Sequence, residues 1–245
     1  MNEKWFFYNR WNTVKEINTQ IIDIINRTSK ITSYRCKSDN EIKFIAGQFM
    51  RVTLFFKGRE EIRHLTISNS PTEKGYYEFT KKITNSNFSK ALERLKVGDH
   101  VLIKLPFGSF TVNLDNTKIA FLSGGIGITP IISMCKYMND IKSKNNIILI
   151  YGNRTEQDIA FKDELDDIQR NNKNFKIVYT LDFKDNLQWQ GRFGLINKKM
   201  IVEEIPDYLE RCFYICGSRQ MVNSMENILK KLNVSNDDIK KENFY

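Results

Sequence analysis

Long apolar runs are missing from this 245-residue chain, and its N-terminus, MNEKWFFYNRW, lacks the organisation of a secretory leader. No stretch approaches the roughly 20 apolar residues of a membrane helix, so no membrane span is expected and a soluble, cytoplasmic protein is. Histidine is scarce, with only His64 and His100, and the cysteines Cys36, Cys135, Cys212 and Cys216 form no Cys-x-x-Cys pair. That spacing supports neither a zinc nor an iron–sulfur centre, and without a leader disulfides are not expected. Blocks of like charge are lacking too. The net charge is +9, yet Lys and Arg are spread along the chain instead of clustering with aromatics on one face. Nucleic-acid binding is therefore not expected, whereas a basic surface could steer an acidic partner.

What is present is enough apolar material for packed cores: 41% hydrophobic residues, with 17 Phe and 10 Tyr. The length suits two modest domains. The most informative stretch is Lys118 to Met138, KIAFLSGGIGITPIISMCKYM. An apolar run ends in Ser123-Gly124-Gly125-Ile126-Gly127-Ile128-Thr129-Pro130, and apolar residues at helical spacing follow. This reads as strand, glycine turn and helix, with Pro130 suited to the first helical turn. Backbone N–H groups and the positive dipole end there suit an anion such as a pyrophosphate. The pattern departs from the standard dinucleotide fingerprint, because Pro130 stands where a third small residue belongs.

Before that turn, short segments with β-branched and aromatic enrichment follow one another: TQIIDIINRT, SYRCK, QFMRVTLFF, RHLTIS, YYEFTKKI and HVLIKL. They predict six antiparallel strands of a small barrel. A short helix is expected over Ser89–Leu95, with Asp99 in the turn after it. Residues 1–14 form an aromatic leader (Trp5, Phe6, Phe7, Tyr8, Trp11) that reads as a core-covering arm. Arg63-His64-Leu65-Thr66 offers a planar cation for a phosphate and a hydroxyl for a ring nitrogen. After the glycine turn, strands and helices alternate as in doubly wound sheets: strand 147–152, helix 158–169, strand 175–181, strand 211–218, and a helix from about Met221.

With these segments in register, the chain resembles the ferredoxin–NADP reductase superfamily from about Gln20 to its C-terminus. Ala46-Gly47-Gln48-Phe49 looks like one family strand, and Arg63-His64-Leu65-Thr66 resembles the flavin motif Arg-x-Tyr-Ser/Thr. Phe79-Thr80-Lys81-Lys82-Ile83 and Ser86-Asn87-Phe88-Ser89 look like the segments that close around the flavin phosphates. Val97-Gly98-Asp99, Pro106-Phe107-Gly108-Ser109-Phe110, Gly124 to Pro130, Tyr151-Gly152-Asn153-Arg154, Cys216-Gly217-Ser218 and Glu242-Asn243-Phe244 follow in family order. Leu65 replaces the tyrosine that packs on the flavin, and Ser86 stands where many members have glycine.

The resemblance implies a Greek-key antiparallel β-barrel for FAD over residues 15–113, then a doubly wound α/β domain with a parallel sheet for NADH or NADPH over 114–245. FMN is the lesser alternative to FAD. Cofactor contacts are implied for Arg63, His64, Leu65, Thr66, Lys81, Ile83, Ser86 and Ser89 in the first domain. In the second they fall on Gly124, Gly125, Gly127, Thr129, Arg154, Cys216, Gly217 and Phe244. Thr66 near flavin N5, Cys216 beside the nicotinamide, Glu242, and Phe244 over the flavin face carry the catalytic expectation. The implied reaction passes a hydride from NAD(P)H to flavin N5 and electrons onward. With no cysteine cluster in this chain, those electrons go to a separate acceptor: an acidic ferredoxin, flavodoxin or oxygenase component. Arg154 suits a 2′-phosphate and Glu156 a free ribose, which leaves the choice of nucleotide open. The competing reading is a flavin- or nucleotide-binding module without turnover.

Overall fold

The computed structural model describes residues 13–39, 42–183 and 188–244. Residues 1–12, which hold the aromatic side chains of the leader, and Tyr245 lie outside the described residues. The chain forms two compact units that divide between Thr111 and Val112.

The first unit is a six-stranded antiparallel sheet in the order β4-β3-β6-β1-β2-β5. Its strands are β1 (Lys15–Thr28), β2 (Ile31–Lys37), β3 (Phe49–Phe56), β4 (Arg59–Thr66), β5 (Tyr76–Lys82) and β6 (His100–Phe107). β1 pairs with β6 through its first half and with β2 through its second, so one long strand serves two parts of the sheet. A single bridge between Ile67 and Phe79 joins the end of β4 to β5, closing the curl into a half-barrel. Alternation sends Ile21, Tyr34, Met50, Val52, Phe79, Val101 and Ile103 to one side, where they make the core. Helix α1 (Asn87–Leu92) adds Phe88, Ala91 and Leu92 to it. This helix starts and stops earlier than the sequence suggests, because the Ser86 hydroxyl caps it by accepting from the Ser89 N–H.

The second unit is a parallel sheet in the order β10-β9-β8-β7-β11-β12. The strands are β7 (Lys118–Gly124), β8 (Asn146–Asn153), β9 (Phe175–Leu181), β10 (Arg192–Phe193), β11 (Cys212–Ser218) and β12 (Ile239–Phe244). Helices α2 (Ile128–Asp140), α3 (Lys162–Asn171), α4 (Lys198–Glu204) and α5 (Arg219–Lys231) accompany it. Ala120, Leu122, Ile148, Ile150 and Val178 form one buried face, against Met200, Ile201, Val222, Met225 and Leu229 of α4 and α5. The strand interiors read as unbroken apolar runs because both faces are covered.

Two sequence expectations need correction here. Helix α3 begins at Lys162 and not at Asp158, because Phe161 sits at φ 61° and Glu156–Asp158 forms a separate 3-10 turn. The buried Ile159-Ala160-Phe161 connection supplies the apolar residues that look helical in the sequence. The closing segment Glu242–Phe244 lies in a full strand, β12, which periodicity does not reveal because its side chains are only partly buried.

Candidate functional site

In the first unit the strand β4 brings Arg63 and Thr66 to the end of the sheet where β5 delivers Lys81. The Arg63 guanidinium lies 5.6 Å from the Phe88 ring and donates to the Ile62 carbonyl at 2.6 Å. Lys81 Nζ donates to the Lys82 carbonyl at 2.6 Å. Partial burial lowers the Lys81 pKa, and the positive charges of Arg63 and Lys82 lower it further. Among the described residues neither Arg63 nor Lys81 has a carboxylate partner. Arg63 is exposed and Lys81 half-buried, and two neighbouring cations that bond only backbone carbonyls suit an anion.

The Thr66 hydroxyl is buried and has no hydrogen-bond partner. An orphan hydroxyl in a folded interior costs about 1–3 kcal/mol unless a ligand satisfies it. Ser86 and Ser89 gather at the start of α1, where the Ser89 hydroxyl accepts from the Thr84 N–H at 3.1 Å and lies 3.1 Å from the Ser86 hydroxyl. Ile83 packs on the barrel core, and Leu65 is part of it. His64 is exposed and meets Phe49 edge-on at 5.3 Å. The cations, Thr66 and the paired serines thus fit a phosphorylated ligand with a polar ring, as FAD is. Leu65 and Ile83 are engaged chiefly in packing.

In the second unit the turn after β7 is built from backbone. Gly125 adopts φ 52°, and a 3-10 turn over Gly125–Gly127 leads into α2. A Cβ on Gly127 would lie 2.3 Å from the Cys216 carbonyl oxygen and 2.7 Å from Gly217 Cα. The turn therefore rests directly on the end of β11. Gly124 and Gly217 leave room for Met221 at the start of α5, since a Cβ on either would fall within 2.6 Å of its sulfur. The Thr129 hydroxyl donates to the Ile126 carbonyl at 3.2 Å, and Tyr151 donates to the Gly125 carbonyl at 3.0 Å. A Cβ on Gly125 would meet nothing within 4 Å, and that open space suits a diphosphate at the backbone N–H groups of the turn.

Beside the turn, β11 places Cys216 opposite Ser123 on one side and Glu242 on the other. Burial pushes the Cys216 thiol well above its usual range, and the nearby Glu242 charge adds to this. Cys216 is thus a neutral thiol that can pack or weakly hydrogen-bond. Burial lifts the Glu242 carboxyl to about 7. Phe244 pairs with Ser218 at the end of β12. Arg154, exposed just past β8, lies 5.5 Å from the Phe183 ring and acts on Asp182 at the end of β9.

Sequence reasoning missed Asp182, the packing of Met221 against the glycines, and the buried Ser123 hydroxyl at the end of β7, which has no hydrogen-bond partner. No local pattern signals an orphan group. Placement at the carboxyl end of a parallel strand is the one usable hint.

The two units match two family models in order: an oxidoreductase FAD-binding domain over residues 18–112 and an oxidoreductase NAD-binding domain over 121–227. The NADH-cytochrome b5 reductase 1 of Eremothecium gossypii is 30% identical over 193 residues, which are 76% of this chain and 67% of that protein. The chain belongs to the ferredoxin–NADP reductase superfamily. Within that superfamily it is also similar to the glycine betaine monooxygenase reductase subunit of Chromohalobacter salexigens, 29% identical over 220 residues. That match covers 87% of this chain, which spans about 60% of the length of that relative. A solved ferredoxin NADP+ reductase from Neisseria gonorrhoeae, with bound FAD and NADP, superposes with a TM-score of 0.80 at 20% identity, covering 94% of this chain and 99% of that one. The superfamily's two-domain fold is thereby shown, with an FAD-binding half-barrel followed by an NAD-binding parallel α/β unit. No described helix is long and apolar enough to cross a membrane.

Proposed function

We propose that this chain is an NAD(P)H-dependent flavoprotein reductase that holds FAD in residues 15–113 and the pyridine nucleotide in 114–245. FAD held there would supply the redox chemistry, the exchange of a hydride with a pyridine nucleotide and of electrons with a separate acceptor. The observation that carries this reading is the Arg63–Lys81 cation pair, which lacks a carboxylate.

The chain's own residues then act as follows. Arg63 and Lys81 neutralise the flavin diphosphate, with Ser86 and Ser89 at its side. Thr66 gives its orphan hydroxyl to the flavin ring. Gly124, Gly125 and Gly127 admit the nucleotide diphosphate to backbone N–H groups, and Thr129 and Gly217 shape the space beside them. Cys216 places the nicotinamide as a neutral group, Glu242 holds or yields a proton near neutral pH, and Phe244, paired with Ser218 at the end of β12, offers an aromatic face to a planar ring.

Asp182 bears on the donor. A carboxylate at the end of β9, beside Arg154, favours the free ribose hydroxyls of NADH and repels a 2′-phosphate. For the acceptor, residues up to Thr111 hold 19 Lys and Arg against 11 Asp and Glu, which suits an acidic electron-transfer protein or oxygenase component. The relatives named above include a monooxygenase reductase subunit and a cytochrome b5 reductase, and both names describe delivery to another protein.

Anaerobic mixing of FAD-loaded protein with NADH or NADPH, followed at the flavin band near about 450 nm, tests the proposal. Rapid bleaching by NADH, with slower bleaching by NADPH, is the expected result. Bound flavin that neither nucleotide reduces overturns it.

A further inference from the structure

The first unit contains a closed ring of five side chains, four of them buried and the fifth, Arg27, 10% exposed. Arg27 Nε donates to the Ser33 hydroxyl at 2.9 Å. The Ser33 and Thr80 hydroxyls are 2.7 Å apart, and those of Thr80 and Ser68 are 2.8 Å apart. Ser68 Oγ donates to Glu78 Oε1 at 3.0 Å, and Arg27 Nη2 returns to Glu78 Oε2 at 3.2 Å. Arg35 adds a second cation to the carboxylate, its Nε 3.0 Å from Oε2.

The ends of this ring dictate its polarity. A guanidinium only donates and a carboxylate only accepts, so the protons must run from Arg27 through Ser33, Thr80 and Ser68 to Glu78. Each hydroxyl then gives one hydrogen bond onward and takes one from behind, which leaves none orphaned. Such a chain between charged ends is strengthened along its length, and it loses two bonds when any middle hydroxyl is removed. Ser33, Ser68 and Glu78 are fully buried, and Thr80 is 3% exposed.

The ring joins four segments that the backbone ladder connects only in part: β1, β2, β5 and the stretch after β4. Ser68 stands two residues beyond Thr66, and Thr80 directly precedes Lys81. Besides the ring, these two segments are tied by the Ile67–Phe79 bridge, by the hydrogen bond from the Ser68 N–H to the Glu78 carbonyl, and by the Asn69 side chain, which accepts from the Glu78 N–H at 2.8 Å and donates to the Tyr76 carbonyl at 3.3 Å. Of these ties the ring alone runs on through Ser33 and Arg27 to β2 and β1, so it helps set the distance between the orphan Thr66 hydroxyl and the Lys81 ammonium.

We propose that the Arg27–Ser33–Thr80–Ser68–Glu78 ring positions the flavin-binding residues, setting Thr66 against Lys81. The idea rests on the flavin reading above. Thr80 and its neighbours act through Thr66 and Lys81, so they are positioning residues.

Two variants at one position separate positioning from packing. Thr80→Val keeps the volume and removes the hydroxyl, leaving the Ser33 hydrogen without an acceptor and the Ser68 oxygen without its donor. Thr80→Ser keeps the hydroxyl and gives up a methyl group. FAD dissociation constants, the visible circular dichroism of bound flavin and the melting temperature of the apoprotein are measured on the full chain.

The expected result is FAD binding about tenfold weaker in Thr80→Val, with an altered flavin spectrum. Its rate of flavin reduction falls while the KM for NADH stays unchanged. Thr80→Ser binds FAD as the wild type does, despite a lower apoprotein melting temperature. If FAD affinity simply follows melting temperature in both variants, or Thr80→Val binds FAD normally, the positioning role is overturned. Wild-type protein that takes up no FAD overturns the flavin reading as well, and only that outcome does so.

Discussion

Up to Thr111 the chain carries 19 Lys and Arg against 11 Asp and Glu, whereas from Val112 it carries 19 against 18. The basic unit builds its candidate site from side chains: two cations, an orphan hydroxyl and a pair of serines, with a polar ring in the same unit. The nearly neutral unit builds its candidate site from backbone, with glycines whose missing Cβ atoms let a turn rest on a neighbouring strand. Side-chain sites fail chemically when a charge or hydroxyl is removed, and the fold survives. Backbone sites fail sterically, and the fold suffers with them.

The sharpest break in that contrast is Gly127→Ala. The added methyl meets backbone 2.3 Å away, which cannot move without shifting β11. A destabilisation on the order of 3 kcal/mol or more is expected, with loss of nucleotide-driven flavin reduction. Thermal melting and anaerobic reduction report both. Arg63→Met and Lys81→Met come next. Each should weaken FAD binding by about 2–3 kcal/mol and leave the apoprotein melting temperature nearly unchanged, as read by flavin fluorescence titration.

Glu242 gives a smaller, pH-dependent effect. A carboxyl whose pKa rises on folding favours the folded state while protonated. Its stabilisation is present in full below about pH 4.5 and is lost as the pH rises through about 7. Glu242→Gln should flatten the melting-temperature profile between those limits by on the order of 1–2 kcal/mol, a figure reduced for the group's partial exposure to solvent. The smallest shift expected is for Thr66→Val. Removing a buried hydroxyl with no partner should leave apoprotein stability unchanged or raise it by up to about 1 kcal/mol, while FAD binding weakens. Opposite signs in the two measurements would sharpen the claim that this hydroxyl is kept for a ligand.

Much of this arrangement was legible in the residues. Strand β9 lies where its apolar alternation places it, and β7, the glycine turn and α2 follow the pattern around Ser123 to Pro130. Arg63 and Thr66 stand out because a cation and a hydroxyl share one short strand. What periodicity misread was the approach to α3, where buried Ile159 and Phe161 imitate a helical face while the backbone at Phe161 is left-handed. It also missed β12, whose pairing with β11 is what brings Glu242 opposite Cys216.

By itself the sequence determined the two-domain order, the β and α/β character of each domain, and the chemistry available in each motif. Those properties follow from side-chain size, charge and spacing over a few residues. Only the tertiary structure decided that Arg63 meets Lys81 without a carboxylate, that Met221 fills the space over Gly124 and Gly217, and that three hydroxyls complete a ring between Arg27 and Glu78. Each of these depends on segments distant in the chain being buried together. Burial strips away water, so the cost of an unpaired polar group, and hence which groups must find partners, is set by the fold as a whole.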